Sequence, residues 1–205
     1  MAPRFPIHLQ SVRSYRPCMY RTNSEVVTRV HKSLLANLLS FCESHNIHDW
    51  KGIQESRIKE VFDQPLWKLL ELEGKYVKDY VSEGVVSIED NTGQPVNPNS
   101  GRWTDDDLRR AFPELANVQE PSKEKAFKCQ LEHVNSRRLL VESLLLKRIT
   151  LDELVEKHLI GCVVTLAEHT RLRTKHESLD DPWLKYRKAD PPVRVWSRAN
   201  QEWLF

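Results

Sequence analysis

Cysteine and histidine residues near position 45 have the residue types of a metal site. Cys42, His45 and His48 follow one another at intervals of three residues. A structural zinc ion needs four ligands in a compact set, and here the fourth would have to be Asp49 or a distant residue. A histidine at the end of a helix is also favourable without metal, because its charge complements the helix dipole. We therefore expect no metal site here.

The other candidate residues for chemistry are also incomplete. Cys129 and His133 would lie one turn apart on a helix, but no third partner follows them. Three aspartates, 105–107, suit the first turn of a short helix that Thr104 caps. The sequence contains neither a glycine-rich phosphate loop nor a serine elbow. It therefore predicts no cofactor and no enzymatic activity.

Composition limits the class of protein. The 205 residues include 31 Lys and Arg against 29 Asp and Glu, for a net charge of +2, and only 6 Gly. This length suits one domain or two small ones, and the composition favours helices. The near-balanced charge predicts no direct nucleic-acid binding. Four scattered cysteines suit a reducing compartment, and no apolar run approaches the length of a membrane helix.

The first part of the chain predicts a flexible basic tail and then a small helical head. Residues 1–23 carry several arginines and no acid. This composition also occurs in mitochondrial targeting peptides, although the prolines interrupt a helix. In the head, residues 24–82, we expect three helices: one that Ser24 caps, one that Asp49 caps, and one that starts at Pro65. The apolar stripe of the first helix comprises Val27, Val30, Leu34, Leu38 and Phe41, with Val26, Leu35, Leu39 and Cys42 beside it.

The second part of the chain predicts a linker and a long helix. Residues 83–121 have the composition of a linker. Residues 122–178 contain no proline and show apolar residues at intervals of three and four, with a capping box at Thr150 and Glu153. Because little of the remaining chain could cover so long a helix, this pattern predicts a coiled coil with other chains. A compact bundle of four or five helices within one chain is the alternative.

The last segment, residues 179–205, is rich in proline and aromatic residues. The prolines forbid a continuous helix, and aromatic side chains often dominate the energetics of interfaces. We therefore expect an extended docking tail; a tail that folds back on its own helices is the alternative.

Two segments resemble a known family of kinetochore proteins. The stretch 136–140 (Ser-Arg-Arg-Leu-Leu) before the long helix, and the end of the chain from Pro192 to Phe205, are similar to the Nsl-one or Mis-fourteen subunit of the MIND (Mis-twelve) complex. Residues 181–186 resemble the Leu-Lys-Tyr step of that family. The matching tail positions are Pro192, Val193, Trp196, Arg198, Gln201, Glu202 and Phe205. Arg194 replaces an apolar residue of the family.

This resemblance implies a function in chromosome segregation. It implies an all-α structural subunit that joins the other MIND subunits through its coiled coil. The tail residues would bind the Spc heads of the Ndc-eighty complex, and the Knl scaffold is a further possible partner. The expected location is the centromere and kinetochore in the nucleus. The alternative is an imported mitochondrial accessory or assembly subunit of the ribosome or a respiratory complex, because of the basic start of the chain.

Overall fold

The computed structural model describes residues 21–72, 75–113, 127–172 and 176–205. Most of the predicted basic tail (1–20), and residues 114–126, which span parts of the predicted linker and long helix, lie outside these ranges. Within the described ranges, none of the helices has the length and apolar character that crossing a membrane requires.

The described chain alternates helices with short strands. The helices are α1 (Arg21–Ser44), α2 (Trp50–Glu55), α3 (Lys59–Leu70), α4 (Glu83–Thr92), α5 (Asp105–Ala111), α6 (Arg137–Leu145), α7 (Leu151–Glu153), α8 (Leu166–Arg171) and α9 (Leu184–Arg187). A π-helical turn (Leu154–His158) continues α7. The strands are β1 (Tyr80–Ser82), β2 (Cys129–His133), β3 (Gly161–Thr165), β4 (Val195–Ser197) and β5 (Glu202–Trp203).

The strands form one mixed sheet in the order β2-β3-β1-β4-β5. β1 pairs with β3 in parallel, and the other neighbours pair antiparallel. β1 is therefore the central strand, with β3 and β4 on either side of it, and β3 is buried at all five positions. Such a continuous buried run of residues is typical of a strand that is covered on both faces.

Three hydrophobic clusters hold this architecture together. One lies among α1, α2, α3, α6 and α7, and includes Leu35, Phe62 and Leu140. The other two cover the two faces of the sheet, because adjacent residues of a strand point to opposite faces. Val163 contributes to one of these clusters, and its neighbours Cys162 and Val164 contribute to the other.

The prediction of an all-α rod with a long coiled coil is wrong. Residues 129–133 and 161–165 of the predicted helix are the paired strands β2 and β3. Apolar residues at alternate positions of β2 face inward, and the segment Gly-Cys-Val-Val-Thr of β3 is rich in β-branched residues. Both features favour a strand, and the sheet buries the apolar side chains that appeared to need foreign helices.

The prediction of an extended C-terminal tail is also wrong. β4 pairs with the central strand β1, and β5 pairs with β4. The prolines of this segment precede β4. One of them follows a cis peptide bond, Asp190–Pro191. The C-terminal segment therefore forms part of the sheet, which is close to the alternative of a tail that folds back on its own chain.

Helix boundaries in the predicted head are only partly correct. Asp49 caps α2 as expected, since the Gly52 N–H donates to its Oδ1 at 2.8 Å. α1 already begins at Arg21, and Pro65 lies inside α3 instead of starting a helix. The predicted caps of α5 and α7 are confirmed: Thr104 accepts from the Asp107 N–H, and Thr150 and Glu153 form a capping box.

Candidate functional site

Three ionisable side chains meet at the edge strand β2. Glu132 Oε2 lies 2.7 Å from His169 Nδ1, and Glu132 Oε1 lies 2.7 Å from Lys185 Nζ. Three elements of the fold, β2, α8 and α9, each supply one of these residues. We call this set the Glu132 centre.

Local sequence places each member of the Glu132 centre. The alternation of β2 buries Cys129, Leu131 and His133 and leaves Glu132 slightly exposed. α8 starts at a capping box in which Thr165 accepts from the Glu168 N–H, and His169 lies in the last turn of this six-residue helix. Lys185 is in α9, where its neighbour Tyr186 is fully buried against the sheet.

Burial differs strongly among the three side chains. Lys185 is 3% exposed, Glu132 is 16% exposed and His169 is 24% exposed. Lys185 also donates to the His133 carbonyl oxygen at 2.7 Å, so the buried ammonium group has two partners. His169 is therefore the member of the centre with the most access to solvent.

Glu132 is ionised within this centre. Burial alone would raise the pKa of its carboxyl group, but the hydrogen bonds and charges of His169 and Lys185 outweigh it and lower the pKa. An ionised carboxylate only accepts hydrogen bonds, so the proton in the bond to His169 belongs to Nδ1. In the neutral ring, Nε2 then carries the lone pair and can accept a proton.

A second histidine beside the centre has a different environment. The ring of His133 lies edge-on against Trp67, with centroids 4.2 Å apart. Burial, followed by the positive charges of Arg137 and Lys185, lowers the pKa of His133 to about 3. His133 is therefore neutral near pH 7, and it contributes its carbonyl oxygen to Lys185.

The tail residues that the resemblance implied do not form one surface. Val193 is buried, and its N–H donates to the Tyr186 carbonyl oxygen at 3.0 Å. Arg198 donates to Glu89 Oε1 at 2.6 Å. Trp196 packs against Trp203, with ring centroids 5.3 Å apart, while Phe205 packs near Trp183 in the cluster on the other face of the sheet. Pro192, Gln201 and Glu202 are exposed.

The cysteines and histidines that first suggested metal chemistry do not converge on a common point. The thiol of Cys42 points into the helical core, whereas His45 stacks on Phe41 at 4.1 Å and His48 is exposed. Cys129 and His133 lie at opposite ends of β2. Among the residues that the structure describes, no group of three or more potential ligands could hold a metal ion.

Comparisons of the chain with protein-family models, curated proteins and solved structures find no match. The sequence analysis missed the Glu132 centre because it assigned Glu132 and His169 to a helix. The antiparallel pairing of β2 with β3 brings them together across 37 positions of the sequence. The one available signal was the alternation of apolar and polar residues from Cys129 to His133.

Proposed function

We propose that the protein is an enzyme that transfers protons at His169. The observation that carries this proposal is the 2.7 Å bond between His169 Nδ1 and the ionised carboxylate of Glu132. A carboxylate in this position fixes the orientation and tautomer of the ring and stabilises the imidazolium ion. Nε2 of the partly exposed ring is then the atom that reacts.

The reaction class that this arrangement suits is hydrolysis of an ester or phosphoester. His169 Nε2 removes a proton from water, and the oxygen of that water attacks the carbonyl carbon or phosphorus atom. The bond to the leaving oxygen breaks, and the imidazolium returns the proton to that oxygen. Glu132 keeps its negative charge throughout and compensates the transient positive charge.

A purely structural role is the competing explanation for the same contacts. The bonds to Glu132 also tie α8 and α9 to the edge of the sheet. A structural role needs only a donor at the position of His169 Nδ1, whereas catalysis needs the basic Nε2. Asparagine can place an amide N–H near the position of Nδ1 without providing a base. His169→Asn therefore separates the two roles.

The test is hydrolysis of three chromogenic substrates by the purified chain. Para-nitrophenyl acetate, para-nitrophenyl phosphate and bis(para-nitrophenyl) phosphate represent a carboxylic ester, a phosphomonoester and a phosphodiester. We expect His169→Asn to reduce turnover of at least one of them by about 100-fold or more. His48→Asn, at an exposed histidine outside the centre, is the matched control.

The outcome depends on activity and stability together. Both variants should melt close to the temperature of the unmodified protein, which shows that any lost activity is not lost folding. Equal rates for the unmodified protein and His169→Asn on all three substrates would show that the proposal is wrong. The sequence-based prediction of no enzymatic activity stays a prediction, and this assay decides between the two.

The kinetochore and mitochondrial roles also stay predictions. The coiled-coil rod on which the kinetochore role depended is not part of the fold, but no contact among the described residues tests either location. Imaging a C-terminally tagged chain decides between them. Foci at mitotic centromeres support the first role, and a mitochondrial network with loss of the basic start of the chain supports the second.

A further inference from the structure

We infer that Lys185 is the positioning residue of the Glu132 centre. It holds the Glu132 carboxylate so that Oε2 faces His169 Nδ1. This inference rests on the proposed function of His169. It adds that the C-terminal segment, through α9, controls the tautomer of the reacting ring.

The contacts of Lys185 carry the inference. Its Nζ lies 2.7 Å from Glu132 Oε1 and 2.7 Å from the His133 carbonyl oxygen. One ammonium group therefore binds both the side chain of Glu132 and the backbone of the next residue, His133. Two anchor points on one strand restrict rotation of the Glu132 side chain and leave Oε2 for the bond to His169.

The position of Lys185 is itself fixed by packing. Trp183 lies two residues before it and Tyr186 directly after it, and the two aromatic rings meet edge-on with centroids 5.2 Å apart. Tyr186 is fully buried, and its carbonyl oxygen accepts a hydrogen bond from the Val193 N–H at 3.0 Å. The segment before β4 thus holds α9 against the sheet and holds the ammonium group inside the centre.

Electrostatics explain why the ammonium group is needed. The titratable groups that interact electrostatically with Glu132 or Lys185 are His169, Cys162 of β3, Tyr186 of α9 and His133 of β2. Two charges lie one step further out: Glu168 of α8 acts on Cys162 and Tyr186, and Arg137, the first residue of α6, acts on His133. Burial raises the pKa of Cys162 and of Tyr186, and both stay neutral at physiological pH. His133 is neutral as well, because its pKa is lowered. Without Lys185, Glu132 would lose a charge and a hydrogen bond that lower its pKa, and only His169 would oppose the rise in pKa that burial causes.

A protonated Glu132 would change the tautomer of His169. The carboxyl group would become a hydrogen-bond donor to Nδ1, and the ring proton would move to Nε2. Nε2 would then carry a proton in the neutral ring and could no longer act as the base. Lys185→Met removes the ammonium group while keeping an unbranched side chain of similar length.

The experiment combines long-range proton–nitrogen NMR of the histidine rings with kinetics on the most reactive of the three chromogenic substrates. In the unmodified protein we expect His169 to carry its proton on Nδ1 at neutral pH. In Lys185→Met we expect the proton on Nε2, and kcat lower by about 10- to 100-fold with a smaller change in KM. Lys188→Met, at an exposed lysine directly after α9, is the matched control and should change neither readout.

The NMR readout keeps this inference separate from the proposed function. If no substrate is hydrolysed but the tautomer changes in Lys185→Met, the proposed activity is wrong and the positioning role stands. If folded Lys185→Met keeps the proton on Nδ1, the positioning role is overturned. Should Lys185→Met not fold, Lys185→Gln replaces it, because the amide keeps an N–H donor but carries no charge. A ring in Lys185→Gln that keeps its proton on Nδ1 would equally overturn the inference.

Discussion

The carboxylate of Glu168 accepts a hydrogen bond from the hydroxyl of Ser82, a residue that lies 86 positions earlier in the chain. Ser82 is the N-cap of α4, while Glu168 belongs to the capping box of α8. The same carboxylate accepts from the Gly84 N–H at 2.9 Å and from the N–H and hydroxyl groups of Thr165. One buried side chain thus caps two helices that begin where the parallel strands β1 and β3 end.

Replacing this carboxylate should weaken the fold. In Glu168→Gln, an NH₂ group replaces one of the two carboxylate oxygens. This NH₂ group is a hydrogen-bond donor, and it would face the donors that the oxygen had accepted from. We expect a loss of about 1–3 kcal/mol in the free energy of unfolding, because a buried polar group is left unsatisfied. Urea denaturation measures this change. Glu156→Gln, at an exposed glutamate, should leave the midpoint almost unchanged.

The glycine next to this cap should not tolerate a methyl group. A Cβ atom at Gly84 would lie 2.8 Å from both carboxylate oxygens of Glu168. Gly→Ala inside a helix normally stabilises a protein by about 0.5–1 kcal/mol. Here we expect Gly84→Ala to lower the thermal midpoint instead. A midpoint at or above that of the unmodified protein would contradict the packing described between α4 and α8.

Two adjacent leucines of α1 provide a matched test of which face of that helix is buried. Leu35 is fully buried, whereas Leu34 is 38% exposed and lies on a stripe with the exposed Val26, Val30 and Phe41. We expect Leu35→Ala to cost about 2–5 kcal/mol of stability and Leu34→Ala much less. Chemical denaturation of the two variants measures the difference. Equal losses would show that both faces of α1 are covered.

The free energy of unfolding should decrease as the pH is lowered, because of His133. Its pKa is about 3 in the folded protein against 6.5 for the free side chain, so the unfolded chain binds the proton first. The stability contribution is therefore complete above pH 6.5 and is lost as pH falls toward 3.

The size of this effect can be tested by denaturation at two pH values. Between about pH 7 and pH 5.5, we expect a loss of roughly 1.2 kcal/mol that His133→Gln removes. The pKa of His31 is also lowered by burial and by Lys68, so part of the loss remains in the variant. His48→Gln is the control at an exposed histidine. An unchanged pH slope in His133→Gln would contradict the burial of a neutral imidazole.

Local signals in the sequence predicted three helix caps correctly, although the cap predicted at Ser24 is wrong because α1 already begins at Arg21. Asp49, Thr104 and the pair of Thr150 and Glu153 each form the expected cap. A cap depends on hydrogen bonds within about four residues, so the local sequence contains all the partners that decide it.

The error in the sheet has an equally physical origin. Residues 122–178 satisfy a helical spacing, but short strands such as β2 and β3 offer too few residues for a clear period of two. The register that pairs Leu131 with Val163 depends on contacts that are remote in sequence. Burial of the paired strands β2 and β3 then outweighs the weak helical preference of the segment.

The buried part of the apolar stripe of α1 is not decided by the sequence, for a related reason. Its apolar residues extend over more than half of the helix circumference, so periodicity alone does not decide which side is buried. Contacts with α3, α6 and α7 select Leu35 and Cys42 for the core and leave Val30 in solvent, 54% exposed. The Glu132 centre was missed because its three members meet only after the sheet and α9 have formed.

The pairing of the central strand β1 with β4 has a consequence for synthesis of the protein. Asp79, directly before β1, accepts hydrogen bonds from Ser197 and Ala199, which the ribosome adds more than a hundred residues later. Until then, the growing polypeptide presents an open sheet edge on which neighbouring nascent chains could assemble. Chaperones that shield strand edges during translation should therefore influence the yield of this protein more than its final stability.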